Sequence, residues 1–259
     1  MTVLFIMIGM LLTFLLVVSV HELGHYAAAR QVGVRPTVCS LGFGKVLWSM
    51  TDRRGTMWQV CAFPIGGYCR FVGDENAASL QSANTGPAVI GSLDAAPIPA
   101  RAWVVIAGPL ANIALAFVLF FVATFFAPEP MSLVQGLGRA VGQIGGFLAL
   151  TASGLVSVIA GIGDMCMLSG PAGIASLSGK ALQLGPHVFL QFMAVISAGL
   201  AVTNLLPIPG LDGGHLLSYA TESIAGRATS ERGKKVLFIV GITLISYLMI
   251  TATLADLMC

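Results

Sequence analysis

Charged side chains are scarce in this sequence. Asp, Glu, Lys and Arg together make up 9% of the 259 residues, whereas apolar residues make up 56%. A soluble domain averages about 25% charged residues, so most of this chain must lie where water does not reach. The balance excludes an ordinary soluble domain and predicts a protein embedded in a membrane.

Cysteine is also sparse, and its spacing is irregular. The five cysteines form no CxxC pair, and their odd number argues against a complete disulfide framework. We therefore expect thiols at these positions. They are Cys39, Cys61, Cys69, Cys166 and Cys259.

Nucleic-acid binding is excluded on similar grounds. The mean hydropathy is +0.90, and the basic residues are not interleaved with aromatic side chains as they are on nucleic-acid platforms. The basic residues instead follow the membrane topology, as shown below.

Long apolar segments dominate the chain. About 20 apolar residues cross the hydrocarbon core of a bilayer, and four segments fit: residues 3–29, 102–127, 183–206 and 236–256. The first has no basic residues before it and no small-residue cleavage site after it, so we expect a retained helix rather than a signal peptide. The predicted fold class is a polytopic α-helical membrane protein with about four transmembrane helices.

The sequence between the first two spans has a different character. In residues 36–74, short runs of Val, Phe, Trp and Tyr are interrupted by Gly and Pro, a pattern that predicts β-hairpins. Residues 75–100 are small and polar, and they predict an irregular loop.

Basic residues indicate the orientation of the spans. Seven of the 13 Lys and Arg residues lie between the first two spans, and four more precede the last. Cytoplasmic loops are enriched in these residues, so we expect both basic loops to be cytoplasmic and both termini to be outside. If the uncharged segment 140–163 crossed the membrane, it would reverse the third span. We therefore predict a helix along the interface there.

The first span ends in a metal-binding pattern. His21-Glu22-Leu23-Gly24-His25 matches HExxH, in which two imidazoles share one helix face and can bind one zinc ion beside a glutamate base. Ionisable groups at membrane depth are costly and are usually functional. Side chains that reach for the lipid headgroups are the alternative. That alternative explains a lone His21 but not all three residues.

A catalytic zinc usually takes a third protein ligand, and Asp212 lies at the matching depth. Pro207 and Pro209 break the helix before it, and irregular backbone at membrane depth is tolerated where it lines a cavity. The alternative is that Asp212 is only a turn residue. His215 is either a rival ligand or, as we prefer, a partner of the ligands. Asn204 either binds the substrate or transition state, or satisfies backbone groups freed by Pro207.

Three motifs in this order resemble one protein family. HELGH, AGPLAN at residues 107–112 and NLLPIPGLDGGH at residues 204–215 are similar to motifs of the site-2 protease family of intramembrane zinc metalloproteases. The likeness is greatest to the bacterial regulator-of-sigma-E-protease branch, which trims anti-sigma factors and remnant signal peptides. It covers nearly the whole chain, including residues 168–175.

The resemblance implies specific roles for several residues. Zinc would be bound by His21, His25 and Asp212, with Glu22 as general base and Asn204 near the substrate. The β-rich stretch would be a membrane-associated sheet beside the cleft. The protein would lie in the bacterial inner membrane, with its active site toward the cytoplasm.

The chain departs from this family pattern at one place. The members it resembles most carry PDZ domains between the second span and the segment before the third. Only residues 127–139 occupy that place here, too few for a domain. We expect a single protease domain over residues 1–259 without a PDZ domain.

A substrate helix must unwind before it can be cut, because its carbonyls are tied into the helical hydrogen-bond ladder. The strand around Gly67 and Tyr68 could offer an edge to the extended substrate, as in β-strand addition. An equal alternative is a strand that only packs the fold. The expected partners are single-span membrane protein substrates and the lipid bilayer. The oligomeric state carries no prediction.

Two other functions compete with proteolysis. A metal-ion transporter would need further acidic or histidine residues along the spans, and beyond Glu22 and Asp212 only His187 and His215 are available. A catalytically silent membrane scaffold would not need Glu22. The sequence therefore favours an intramembrane zinc metalloprotease.

Overall fold

The computed structural model describes residues 2–73, 89–129, 131–159, 170–226 and 231–258. These residues form seven α-helices, a short 3-10 turn and two β-strands. In chain order they are α1 (Thr2–Gln31), β1 (Pro36–Thr51), β2 (Met57–Phe71), α2 (Ile98–Ala123), the 3-10 turn (Thr124–Phe126), α3 (Leu133–Ile159), α4 (Pro171–Gln183), α5 (Pro186–Leu205), α6 (Asp212–Ala225) and α7 (Glu231–Met258).

Four helical stretches are long and apolar enough to cross a membrane. They are Thr2–Gln31, Ile98–Phe126, Pro186–Leu205 and Val236–Met258. The predicted multi-pass fold is thereby confirmed. Helix α3 contains most of the segment 140–163 and is not among the four in the part of the chain that the structure describes. Its place at the interface stays a prediction, and most of the predicted loop 75–100 lies outside the described residues.

Two helices were not predicted. Helices α4 and α6 are 13 and 14 residues long, too short to be found by a search for membrane-spanning length. Pro171 opens α4. Asp212 opens α6, where the sequence predicted only a break in the preceding helix.

The chain divides into two compact units. One comprises Met1–Thr13, Asn112–Val202 and Ile242–Cys259. Small residues allow close helix packing within it, since a Cβ on Gly9 would lie 2.7 Å from the Ser178 carbonyl oxygen. The Asp256 carboxylate accepts the backbone N–H groups of Gly170 and Gly173, both at 2.9 Å, and so satisfies the start of α4.

The other unit comprises Phe14–Ala111 and Thr203–Gly241 and contains every predicted site residue. Its core joins the end of α1, the sheet and the start of α2. The buried members are Ala28, Ala29, Val34, Cys39, Cys69, Phe71, Val104 and Ala107. Helices α1 and α2 meet at Gly24, where an added Cβ would lie 2.5 Å from the Ala107 carbonyl oxygen. Only glycine permits that approach.

The predicted β-rich segment forms a two-stranded antiparallel sheet. Pro36 pairs with Phe71 at one end, and Thr51 pairs with Met57 at the turn. Register shifts bend both strands between these ends. Several large apolar side chains on the sheet are exposed, as expected for a sheet in contact with lipid. They are Phe43, Val46, Leu47, Trp48, Met50 and Phe63.

The expectation of free thiols is wrong for two of the five cysteines. Cys39 and Cys69 lie opposite each other on the paired strands and form a disulfide. Neither their number nor their spacing in sequence could reveal this, because the pairing depends on the strand register. Cys61 is a free, buried thiol, and the other two lie outside the described residues.

Asp52 organises the turn between the strands. Its Oδ1 accepts the backbone N–H groups of Arg54 at 2.8 Å and Thr56 at 2.9 Å. Its Oδ2 accepts the Trp58 indole N–H at 3.1 Å and the Tyr26 hydroxyl at 3.3 Å. These bonds, with that of Thr56 the strongest cause and that of Trp58 the next, lower the pKa of Asp52 to about 2.

We expect the turn to loosen at acid pH. Because the folded pKa lies below the ordinary value of 3.8, the carboxylate stabilises the turn above about pH 4 and loses that effect as the pH falls toward 2. Tryptophan fluorescence should report this change through Trp58. An Asp52→Asn variant, which keeps a single acceptor oxygen, should lack the transition and be cut several-fold faster by trypsin after Arg53 or Arg54. Glu129→Gln, at an exposed position, is the control. An unchanged acid transition in Asp52→Asn would contradict the assignment.

Candidate metal centre

Three side chains from distant parts of the sequence converge in the unit that contains the sheet. His21 and His25 lie one turn apart on α1, and Asp212 opens α6; one ligand atom of each lies within 4.8 Å of the other two. The two Nε2 atoms are 3.1 Å apart. Asp212 Oδ2 lies 3.3 Å from the Nε2 atom of His21 and 3.6 Å from that of His25. Ligand atoms at about 2.0–2.1 Å from a tetrahedral zinc would lie about 3.3 Å apart.

The polarity of this cluster calls for a cation. Asp212 Oδ2 is buried, and among the described residues it accepts no hydrogen bond. A buried carboxylate oxygen without a partner is costly, and a divalent cation between the three atoms would satisfy it. Two imidazole nitrogens and one carboxylate oxygen form a donor set that suits zinc. The residues present therefore fit a catalytic zinc ion.

A backbone group on α2 orients one of the imidazoles. His25 Nδ1 lies 2.8 Å from the Val104 carbonyl oxygen. Because a carbonyl only accepts, this geometry assigns the proton to Nδ1 and leaves the Nε2 lone pair for a metal. Val104 is 1% exposed, so the bond is protected from water. Sequence reasoning missed this contact because it joins two helices that are far apart in sequence.

Gly108 on α2 leaves room for both imidazoles. A Cβ at this position would lie 2.3 Å from His25 Nε2 and 2.9 Å from His21 Cε1. The residue sits in the AGPLAN motif, which entered the sequence reasoning only through a family resemblance. The structure supplies the physical reason for the glycine: any side chain would displace the imidazoles.

A sharp break in the chain positions Asp212. Helix α5 ends at Leu205 and α6 begins at Asp212, with Pro207 and Pro209 between them. Gly213 packs against the carbonyl groups that end α5, so closely that an added Cβ would overlap them. An acidic residue in the first turn of α6 is also favoured by the helix dipole.

Glu22 lies beside the last segment of β2. The Cys69 backbone N–H faces its carboxylate, and Cys69 is tied to Cys39 on β1 by the disulfide. A Cβ on Gly67 would lie 3.1 Å from Glu22 Cγ and 2.9 Å from Val18. The strand therefore packs against the glutamate that follows His21 in the sequence.

The remaining predicted residues lie outside the three-atom cluster. Tyr68 stacks on Phe43, with ring centroids 5.9 Å apart, and its hydroxyl accepts a bond from Gln59 at 2.8 Å. Asn204 lies in the last turn of α5. His215 is in the first turns of α6, where burial lowers its pKa and the nearby Asp212 carboxylate partly opposes that shift.

Comparisons with known proteins give matches over most of the chain. A family model described as peptidase family M50 matches residues 9–248. The metalloprotease MmpA of Caulobacter vibrioides is 29% identical over 98% of this chain and 96% of its own length. A protein of Agrobacterium fabrum with the designation zinc metalloprotease is 29% identical over 96% of this chain and 95% of its own length. A protein of Mesorhizobium japonicum with the same designation is also 29% identical, over 92% and 95%.

These alignments are longer than the chain itself. They run over 381, 360 and 350 positions, against 259 residues here. The relatives therefore carry residues that this chain lacks, which is compatible with the expected absence of a PDZ domain.

We predict that Gly108→Ala weakens zinc binding by about 10–100-fold, the range seen when support around a metal site is lost. The added methyl group would push the His25 imidazole out of line. Zinc content after dialysis against graded chelator measures the effect. Gly145→Ala on α3 is the matched control, because a Cβ there meets no atom within 4 Å. Equal zinc retention in the two variants would refute the packing argument.

Proposed function

The chain belongs to peptidase family M50, and we propose that it hydrolyses peptide bonds within or beside the transmembrane segments of other membrane proteins. It is a multi-pass membrane metalloprotease, and its cofactor is Zn²⁺. The observation that carries the proposal is the position of His21, Glu22 and His25 on a helix long enough to span a bilayer. A protease site built into such a helix is suited to substrates that are themselves in the membrane.

The roles of the residues follow from their positions. His21, His25 and Asp212 would hold the ion through two nitrogens and one oxygen. When bound, zinc supplies Lewis-acid chemistry, which polarises a carbonyl and acidifies water. Glu22, adjacent to His21 in sequence, takes the proton from the attacking water and returns it to the leaving amine. Its contacts with Gly67 and with the Cys69 N–H on β2 would orient it for this transfer.

The substrate must be extended when it reaches these groups. Its freed amides need partners, because unpaired backbone groups are costly in a dry site. The last segment of β2 lies beside Glu22, so a substrate strand added along Gly67 and Tyr68 would run past the base. Asn204, in the last turn of α5, is proposed to bond the substrate or transition state.

The proposed substrates are single-span membrane proteins, such as anti-sigma factors and remnant signal peptides, in regulated intramembrane proteolysis. If the basic loops face the cytoplasm, as the enrichment of Lys and Arg in cytoplasmic loops favours, both termini would lie outside the bacterial inner membrane and the active site would face the cytoplasm. The whole of residues 1–259 would act as one protease domain without a PDZ filter.

We expect Glu22→Gln to abolish cleavage while zinc binding persists. Glutamine keeps the size of the side chain but cannot accept the proton, so the loss should be at least about 100-fold, the lower end for general-base catalysis. Purified protein in detergent would be incubated with a tagged single-span reporter, and bound zinc would be quantified in both proteins.

Three outcomes of that experiment are distinct. Cleavage by the wild type that is lost in a zinc-loaded variant supports the proposal. Cleavage retained in Glu22→Gln would remove this residue from the base role. Folded wild-type protein without zinc would favour a metal-ion transporter or a silent scaffold.

A second variant distinguishes an effect on the position of Glu22 from an effect on zinc binding. Gly67→Ala adds a methyl group 2.8 Å from the Ser40 carbonyl oxygen, 2.9 Å from Val18 and 3.1 Å from Glu22 Cγ. Because the Ser40 carbonyl belongs to the backbone of β1, we expect the strand to shift, to move Glu22 and to lower kcat by about tenfold. Zinc retention should equal that of the wild type, in contrast to Gly108→Ala. Loss of zinc from Gly67→Ala would show that the strand supports the ligands instead.

A further inference from the structure

We infer that Arg101 and Glu222 are positioning residues, which hold the helix that carries Asp212 in register with the two histidines. The inference rests on the proposed role of Asp212 as a zinc ligand. Arg101 lies in the first turn of α2, and Glu222 lies near the end of α6. Neither residue touches the metal centre, and neither was singled out by the sequence.

Arg101 and Glu222 form a bidentate ion pair. Arg101 Nη1 lies 3.1 Å from Glu222 Oε2, and Nη2 lies 2.9 Å from Oε1. Two parallel N–H···O bonds fix the direction of both groups as well as their distance. The side chains are 11% and 19% exposed, so water competes weakly for them.

The same guanidinium makes a second contact with α6. Arg101 Cζ lies 5.1 Å from the centroid of the Tyr219 ring, within cation–π range. Tyr219 is 2% exposed and lies three residues before Glu222, so the two share one face of α6. One arginine therefore holds α6 at two points of that face, which restricts both rotation and sliding.

The face of α2 that carries Arg101 also contacts the histidines. Arg101, Val104 and Gly108 follow an i, i+3, i+7 pattern, which places them on one side of the helix. Val104 orients His25, and Gly108 makes room for both imidazoles. Helix α2 thus contacts both helices that carry the candidate ligands. It contacts α1 through Val104 and Gly108, and it contacts α6 through Arg101 in its first turn.

The effect on the metal centre must be geometric. Glu222 lies about 15 Å along α6 from Asp212, at 1.5 Å per residue, so its charge acts weakly on the zinc. A buried ion pair is also weak evidence for stability, because apolar residues of similar volume often replace it without loss. Apolar residues cannot reproduce the fixed orientation that the two parallel hydrogen bonds impose on α2 and α6. Without it, Asp212 should be free to drift from the tetrahedral position.

The test compares a disrupted pair with an apolar replacement. The Glu222→Gln variant weakens the ion pair with Arg101. The double variant Arg101→Met with Glu222→Leu replaces the ion pair by apolar packing. We expect zinc release to a chelator to be about tenfold faster in both, with kcat reduced and KM unchanged. The melting temperature of the metal-free double variant should stay near that of the wild type. Arg139→Gln, an exposed arginine, is the control and should behave as the wild type.

The outcomes separate this inference from the proposed function. A wild-type rate of zinc release in Glu222→Gln overturns the positioning role, whatever the double variant does. Faster release with a lower kcat in both variants supports it. If the wild type holds zinc but cuts no reporter, the proposed function fails while the zinc-release comparison still decides the inference.

Discussion

The rest of the structure is arranged around one buried carboxylate oxygen, Oδ2 of Asp212. Among the described residues it accepts no hydrogen bond, and it faces two imidazole nitrogens. Those three atoms lie within 4.8 Å of one another, although their residues come from opposite ends of the chain. Because each group is largely buried, an error of about 1 Å in their placement would leave polar atoms without partners and lose the tetrahedral geometry that zinc requires. The local fold therefore has to position α1 and α6 relative to each other with that accuracy.

Helix α2 and the last segment of β2 provide the accuracy. The first holds α1 through close backbone contact at Gly24 and holds His25 through the Val104 carbonyl group. The second packs against Glu22 at Gly67. Preorganisation of this kind matters more to a hydrolytic site than the strength of any one contact, because the groups need not rearrange during the reaction. The residues of the candidate metal centre are thereby held in position by their neighbours in the fold.

Local patterns predicted the parts of this protein that depend on short stretches of sequence. Hydropathy predicted the four spans, and HExxH spacing predicted His21 and His25 as ligands. Asp212 was predicted because prolines and glycines mark irregular backbone at membrane depth, and the structure brings the three residues together. The remaining features depend on contacts between distant segments. The Cys39–Cys69 disulfide requires the register of a bent sheet, and Val104 contributes a backbone carbonyl that any residue would carry, so no local signal reveals either.

Glycines line the candidate site at several positions where a side chain would not fit. Gly24 and Gly108 border the paired histidines, and Gly67 borders the glutamate. In genetic terms, every missense change in a glycine codon adds atoms, and at these positions the space for them is already filled. We therefore expect a single base change to inactivate the protein at more positions than the three candidate metal ligands. Loss-of-function alleles should cluster in these glycines as well as in the residues that do the chemistry.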